Sequence, residues 1–442
     1  MLNNKLMKIL ASGSLATLVF SGAANAAPDA DTTVVFNTLL FLFGGFLVMW
    51  MAAGFAMLEA GLVRSKNVAD ICLKNVSLFA VACIMWMLMG YNLMYEDVTG
   101  YYGTFFHLWS PDDTGVMDTG YGAGSDFFFQ MVFVATTASI VSGTVAERVK
   151  IIPFLLFTVV LAGLIYPIQG SWEWGGGWLN AEWYAETFGA EFSDFAGSTL
   201  VHSTGGWAAL VGALILGARD GRYIDGKVRP MPGSSMPLAT LGMFILWLGW
   251  FGFNGASQLA LGTVTDAVSV SNIFVNTNMA AAGGAVAAFI TTKAIYKKVD
   301  LTMVLNGALA GLVSITAEPL TPTPISATLI GAVGGVLVVF AVPFFDKLKI
   351  DDVVGAISVH LVCGIWGTLA VPITNGDTAF LAQLVGIVSI GLFVTATSAV
   401  VWYALKMTIG IRLSPEEEAQ GADISELGME AYPEFGKGSQ KF

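Results

Sequence analysis

"GSTLVHSTGG" occupies residues 197–206 and "GAISVHLVCG" residues 355–364. Both read G-x-x-x-V-H-x-x-x-G, and both lie inside long apolar stretches. His202 and His360 are two of only three histidines in the chain. An ionisable ring placed in hydrocarbon is costly and by default marks function. Two of them in matching frames call for one explanation, and the rest of the chain supplies the setting.

Of 442 residues, 55% are hydrophobic and 12% charged, with 51 glycines and a mean hydropathy of +0.71. A soluble domain carries roughly 25% charged residues, so the composition is that of a membrane protein. The formal charge of −12 fits a cationic partner or simply acidic loops and tail, and decides little alone. Residues 1–26 read as a signal peptide: Lys5 and Lys8, the short apolar run "ILASGSLATLVF", then an A-x-A site at Ala24-Asn25-Ala26. The expected domains are therefore this signal peptide, a transmembrane domain over 27–407 and a polar tail over 408–442. Cys72, Cys83 and Cys363 fall in or beside apolar spans, with neither a disulfide framework nor a C-x-x-C signature.

Apolar stretches long enough to cross a bilayer lie near 34–63, 70–94, 126–147, 150–170, 198–218, 236–259, 268–292, 301–317, 323–345, 353–373 and 379–407. The fold class is all-α, with eleven spans. Arg64, Lys66, Lys74, Arg148, Lys150, Arg219, Arg222, Lys227, Arg229, Lys293, Lys297, Lys298, Lys347, Lys349, Lys406, Arg412, Lys437 and Lys441 all fall on one side of that layout. The opposite loops, including the long 95–125 and 171–197, carry none. Because basic residues mark the cytoplasmic side, the N-terminus is expected outside and the C-terminus inside. His202 then sits on span 5 running inward and His360 on span 10 running outward. Spans 1–5 and 6–10 thus have opposite orientation, an inverted repeat plus one extra helix. Such repeats place matching residues together near the membrane midplane. Glycines five before and four after each histidine would let the helices approach closely.

For the histidines, the bland alternative is a pair of core imidazoles bonded to nearby carbonyls. A metal site is a poorer one, since neither cysteine nor carboxylate accompanies them. The third is an imidazole pair lining a permeation path, one nitrogen donating and the other accepting. Aromatics gather on the external side: Trp172, Trp174, Trp178, Trp183 and Tyr184 in the 171–197 loop, Phe129 and Phe133 one turn apart in span 3, and Phe253, Asn254 and Ser257 ending span 6. Interfacial Trp and Tyr usually anchor to the bilayer, but an aromatic cage also holds ammonium-type cations by cation–π attraction. Asp194, in "DFAGSTLVH", is the carboxylate nearest His202 and reads either as the cap of span 5 or as a substrate ligand. Glu59, near the inner end of span 1, reads as snorkelling or cap contact, with a role in the pore left open because spacing does not argue it.

Taken together, the segments "GLVRSKN", "FQMVFVATTASIVSGTVAER", "WGGGWL", "DFAGSTLVH", "GWFGFN", "FVNT", "DDVVGAISVHLVCG" and "PEEEAQGADISELG" resemble the ammonium transporter (Amt/Mep/Rh) family, in its bacterial branch. The likeness covers essentially the whole mature chain. It implies a homotrimer in the inner membrane with one pore per subunit and a twin-His pore at His202 and His360. It also implies ammonium recruitment by Trp174, Phe133 and Ser257, and a stacked gate of Phe133 and Phe253. Phe129 would be a further pore-mouth aromatic, Asp194 would shape the recruitment site indirectly, and Asn254 would support it. A PII-type signalling protein is the expected cytoplasmic partner. The chain departs from the family at Gly355, often Asp; at Leu427, usually His; and at Leu58-Glu59, where some members have an aromatic pair.

These residues suit a route in which ammonium sheds a proton and crosses as ammonia, because a bare ion in an apolar pore bears a large desolvation cost. The histidines could relay the proton, making transport electrogenic. Methylammonium is a second candidate substrate. The rival class is an ammonium sensor signalling through the tail, which the short tail disfavours. No enzyme activity, cofactor, metal or nucleic-acid partner is expected.

Overall fold

The computed structural model describes residues 29–434. The expected signal peptide lies outside the described residues, as do Lys437 and Lys441. The described chain is nearly all helical, in eleven principal helices. They are α1 Ala30–Leu62, α2 Ser65–Tyr95, α3 Ala123–Val145, α4 Ile151–Ser171, α5 Ser198–Leu216, α6 Met236–Gln258, α7 Val264–Tyr296, α8 Leu301–Ile315, α9 Pro324–Lys347, α10 Ile357–Thr374 and α11 Phe380–Thr408. Short polar residues start several of them. Asp29 accepts from the Thr32 N–H, Thr263 and Asp266 cap reciprocally, and Thr323 precedes Pro324 at the first turn of α9, each meeting N–H groups left over at a helix start.

Ten of the eleven are long and apolar enough to cross a membrane. The exception is α8, 15 residues long, or about 22 Å at 1.5 Å per residue, against a hydrocarbon core of about 30 Å. Its residues from Leu305 to Ile315 are all buried, between α7 and α9, so protein rather than lipid surrounds it. The outer helices instead expose large apolar side chains such as Phe43, Val76, Leu392 and Val400. That is the surface a multi-pass membrane protein offers to lipid.

Corresponding helices of the two five-helix sets meet, as an inverted repeat requires: α1 packs along α6, and α5 crosses α10. The motif glycines divide their work. A Cβ on Gly206 would lie 2.7 Å from the Leu361 backbone N, and one on Gly364 2.4 Å from the Ser198 carbonyl, so both permit the α5–α10 approach. Gly197 and Gly355 serve differently. They adopt φ of +105° and +84°, the left-handed region open to glycine, and turn the chain into the helix starts. Backbone shape, and not only bulk, fixes those two.

The basic connections converge at one end of the bundle. Arg219 bridges Glu147 at 3.0 Å and Asp351 at 2.8 Å, Arg64 pairs with Glu147, and Arg222 with Asp346 at 2.9 Å. Burial alone would raise the Asp351 carboxyl, but its bonds to Arg219, with Arg148 beside it, hold it well below the usual carboxylate range. The tail folds onto this end in two short helices, α12 Pro415–Gln420 and α13 Ala422–Leu427. The Lys66 ammonium donates to the Glu418 carbonyl at 2.6 Å, Arg412 reaches the Glu418 carboxylate at 2.7 Å, and the Ala422 N–H donates to Asn67 at 2.9 Å. Leu427 closes α13, and the left-handed Gly428 follows it.

Candidate functional site

Each motif histidine sits in a π-helical turn, Ser198–Ser203 in α5 and Ile357–Val362 in α10. Such wide turns are rare and frequent at functional sites. An aspartate eight positions before each histidine sets that turn up. The Asp194 carboxylate accepts from the N–H groups of Gly197, Ser198, Thr199 and Leu200 at 2.7–3.0 Å. Asp352 accepts from Ile357 at 2.9 Å and Ser358 at 3.3 Å, and from the Thr144 hydroxyl at 2.8 Å. Burial pushes both carboxyls up to about 6, and these bonds pull the other way. Asp352 escaped the sequence reading although its signal was present: the repeat is D-x-x-G-x-x-x-V-H-x-x-x-G in both halves.

The two turns bring His202 and His360 together. Their Nδ1 atoms are 3.1 Å apart, with ring centroids at 5.2 Å and 22° between the planes, so the rings meet edge to edge. Only one of two facing Nδ1 atoms can carry the shared hydrogen, so one ring donates and the other accepts. His202 is fully buried, and its Nε2 is bonded to no protein atom. Trp250 stacks on His202 at 5.0 Å and is held by an indole N–H bond to Thr316 at 2.8 Å. Sequence reasoning passed over Trp250 as one more apolar residue of span 6.

Aromatic rings continue the line away from the histidines. Phe253 lies 5.2 Å from His202 and stacks on Phe133 at 4.1 Å with 28° between planes. Phe133 meets Phe129 at 4.8 Å and Trp174 at 6.1 Å, both edge-on. Beyond the stack, a pocket of about 130 Å3 is lined by Phe129, Phe133, Trp174 and Ser257, together with Tyr95 and Gln130. The Trp174 indole donates to the Asp194 carbonyl at 3.0 Å, so the aspartate that starts α5 also fixes the pocket wall. The Ser257 hydroxyl donates to the Phe253 carbonyl at 2.8 Å. Asn254 points elsewhere, donating to Thr277 on α7 at 3.0 Å.

The other loop aromatics stay outside this pocket. Trp178 stacks on Trp183 at 6.0 Å, Trp172 packs on Phe393 at 5.0 Å, and the Tyr184 hydroxyl donates to the Ala382 carbonyl at 2.6 Å. The last two pack the loop onto α11. On the opposite side of the histidines a narrow cavity is lined by Phe55, Glu59, Ser139, Asn306, Val359 and His360. The arrangement is an aromatic pocket, a stacked pair of phenylalanines, a hydrogen-bonded imidazole pair and a second cavity, in that order.

Comparison with known proteins places this architecture. The family model described as Ammonium Transporter Family matches residues 39–432. The ammonium transporter Amt2 of Archaeoglobus fulgidus is 39% identical, with 95% of this chain and 94% of that protein covered. The ammonium transporter of Bacillus subtilis is 32% identical over 90% of this chain and 98% of its own length. Among solved structures, one named Sensor Amt Protein superposes with a TM-score of 0.80 at 35% identity, covering 88% of this chain and 98% of that one. The Mep2 protein of Saccharomyces cerevisiae gives 0.75 at 25% identity, covering 88% and 90%. The chain belongs to the ammonium transporter family, a family of membrane transporters and not of enzymes.

Proposed function

We propose that this protein carries ammonium across the cytoplasmic membrane by deprotonating it outside and conducting ammonia. The observation that carries the reading is the order of groups along one line. An aromatic pocket opens on the stacked Phe133 and Phe253, and behind them His202 presents a buried Nε2 with no protein partner. A buried polar atom of that kind wants a ligand. Trp174, Phe129 and Phe133 would hold the ion by cation–π attraction, with the Ser257 oxygen accepting one N–H. The Phe133–Phe253 stack would admit only the neutral molecule, for which the imidazoles offer alternating donor and acceptor. Asp194 and Asn254 act behind the wall, as support. Passage of the released proton along His202 and His360 would make transport electrogenic, and methylammonium would compete for the same pocket.

The expected setting is an eleven-span protomer in the inner membrane, α8 sheltered inside it, with the mature N-terminus periplasmic and the tail cytoplasmic. Three protomers would assemble, each with its own pore. The folded tail, docked on Lys66 and Asn67, offers with the 219–229 loop a surface for a PII-type protein, and Leu427 sits within it.

The test is current recording from purified protein in liposomes under an inward ammonium gradient, with potassium as control. Ammonium current without potassium current is the expected result. The likeness to the Sensor Amt Protein favours a second reading, ammonium sensing through the tail. Ammonium binding without flux in the same liposomes would select it.

A further inference from the structure

Glu59 is a buried carboxylate on α1, one turn beyond Phe55, in the wall of the cavity that also receives His360. Its partners come from two other helices. The Asn75 side-chain amide donates to Oε2 at 2.7 Å, and the Ser142 Oγ lies 2.7 Å from Oε1. Ser142 Oγ is also 2.7 Å from the Ser139 carbonyl. A serine hydroxyl has one hydrogen and a carbonyl oxygen only accepts, so Ser142 serves one of these by donating at any moment. With Glu59 ionised, Ser142 donates to it. With Glu59 protonated, the carboxyl donates to Ser142 Oγ and Ser142 donates to Ser139. Both protonation states are therefore fully bonded at Oε1 without any heavy atom moving. A carboxylate meant to stay ionised in such a place is normally given a cation. The nearby Lys74 ammonium is committed instead to Asp70 at 2.6 Å and the Val149 carbonyl at 2.8 Å.

We infer that Glu59 is the proton acceptor at the inner end of the pore, taking from His360 the proton released by ammonium and passing it to water on the cytoplasmic side. The inference rests on the deprotonation reading above. In the step, an N–H bond of the protonated His360 ring breaks and an O–H bond forms on Glu59. The O–H then breaks as the proton leaves to solvent, restoring the carboxylate, so that one proton and one ammonia amount to one ammonium. The shared cavity has about 10 Å3 of space, the least that holds a single water, and both His360 and Glu59 line it. Around Glu59 the titratable and charged groups are Lys74 and Cys72 on α2 and His360 on α10.

The test uses the full-length protein in liposomes with a trapped pH dye, measuring ammonium-driven current and lumenal pH together. The parent should show current. Glu59→Gln should lose at least tenfold of it while ammonia still enters and alkalinises the lumen, and Glu59→Asp should keep current within about threefold of the parent. Should Glu59→Gln fail to fold, Ser142→Ala gives the same answer: it removes the hydroxyl donor to the ionised carboxyl, and the pH midpoint of the current should shift. Undiminished current in Glu59→Gln, or an unshifted midpoint in Ser142→Ala, overturns the inference alone. So does loss of current and alkalinisation together in both Glu59 variants, which marks a packing role. A parent without ammonium current overturns the transport reading and this one with it.

Discussion

His202 Nδ1 and His360 Nδ1 face each other across 3.1 Å, and neither ring can take its hydrogen-bonding role without the other taking the complement. The two act as one unit, and residues in one network do not contribute additively. His202→Ala and His360→Ala are each expected to abolish most ammonium current. The double variant should then be no more than about twofold worse than either. Currents from matched amounts of reconstituted protein check this. Losses that multiply would mean two independent sites, and the shared-hydrogen account would fall.

Asp194 and Asp352 hold the two histidine turns by the same device, a carboxylate on exposed N–H groups at a helix start. Loss of such a cap costs about 0.5–2 kcal/mol, and Asp194 makes four bonds where an ordinary cap makes one or two. Asp194→Ala should lower both the folded fraction and transport, because the Trp174 wall hangs from the same residue. Asp194→Asn keeps an acceptor oxygen and should retain more of each. Thermal stability and flux measured side by side decide it. Equal loss of flux in both variants, with folding intact, would assign the role to the negative charge itself.

Much of the fold was open to reading in the sequence because a membrane restricts the choices: apolar length gives helices, and the Lys and Arg of alternate connections gather at one end of the bundle. The twin-His pairing followed from frame and orientation. Readings that depended on which way a side chain turns went less well. Spacing said nothing of Trp172 and Tyr184 packing against α11, or of Trp178 stacking on Trp183, because a loop has no period to read. Glu59 looked like a snorkelling residue since its partners, Ser142 and Asn75, lie on other helices. Asp352 was missed for a different reason: the comparison of repeats stopped at the motif glycine, three residues short of it.

Asp351 makes stability at the basic end of the bundle depend on pH. Its folded-state pKa lies below the usual range, whereas an unfolded aspartate titrates near about 3.9. The stability it contributes is therefore complete above that value and is lost as pH falls through the folded-state pKa. Removing one partner of a buried pair costs up to about 3–5 kcal/mol, and less here because Arg219 keeps Glu147 at 3.0 Å. Asp351→Asn should thus melt well below the parent at pH 6, and the gap should begin to narrow once pH falls below about 4 and be smaller at pH 3. Melting curves of detergent-solubilised protein at both ends read it. A gap of the same size at pH 6 and pH 3 would show that the carboxylate's charge is not what stabilises the cluster.

Selectivity follows from what the rings behind the pocket refuse. Potassium is close to ammonium in size and would also be drawn to Trp174, Phe129 and Phe133, so the pocket cannot exclude it. Potassium has no proton to give up. If the segment of Phe133, Phe253, His202 and His360 passes only a neutral species, potassium halts at the phenylalanine stack. His202→Asp would place an ionisable carboxyl beside Phe253 and Trp250 and draw in water. One opposite charge at about 4 Å is worth roughly 4 kcal/mol at an effective dielectric of 20, enough to lower the barrier to a whole cation by about three orders of magnitude. His202→Asp should therefore carry potassium current that the parent lacks. His202→Ala should lose ammonium current and gain none for potassium, because it removes the polar contact and adds no charge. Potassium current in the unmodified protein comparable to its ammonium current would mean that whole cations pass the stack, and deprotonation would have no part in the mechanism.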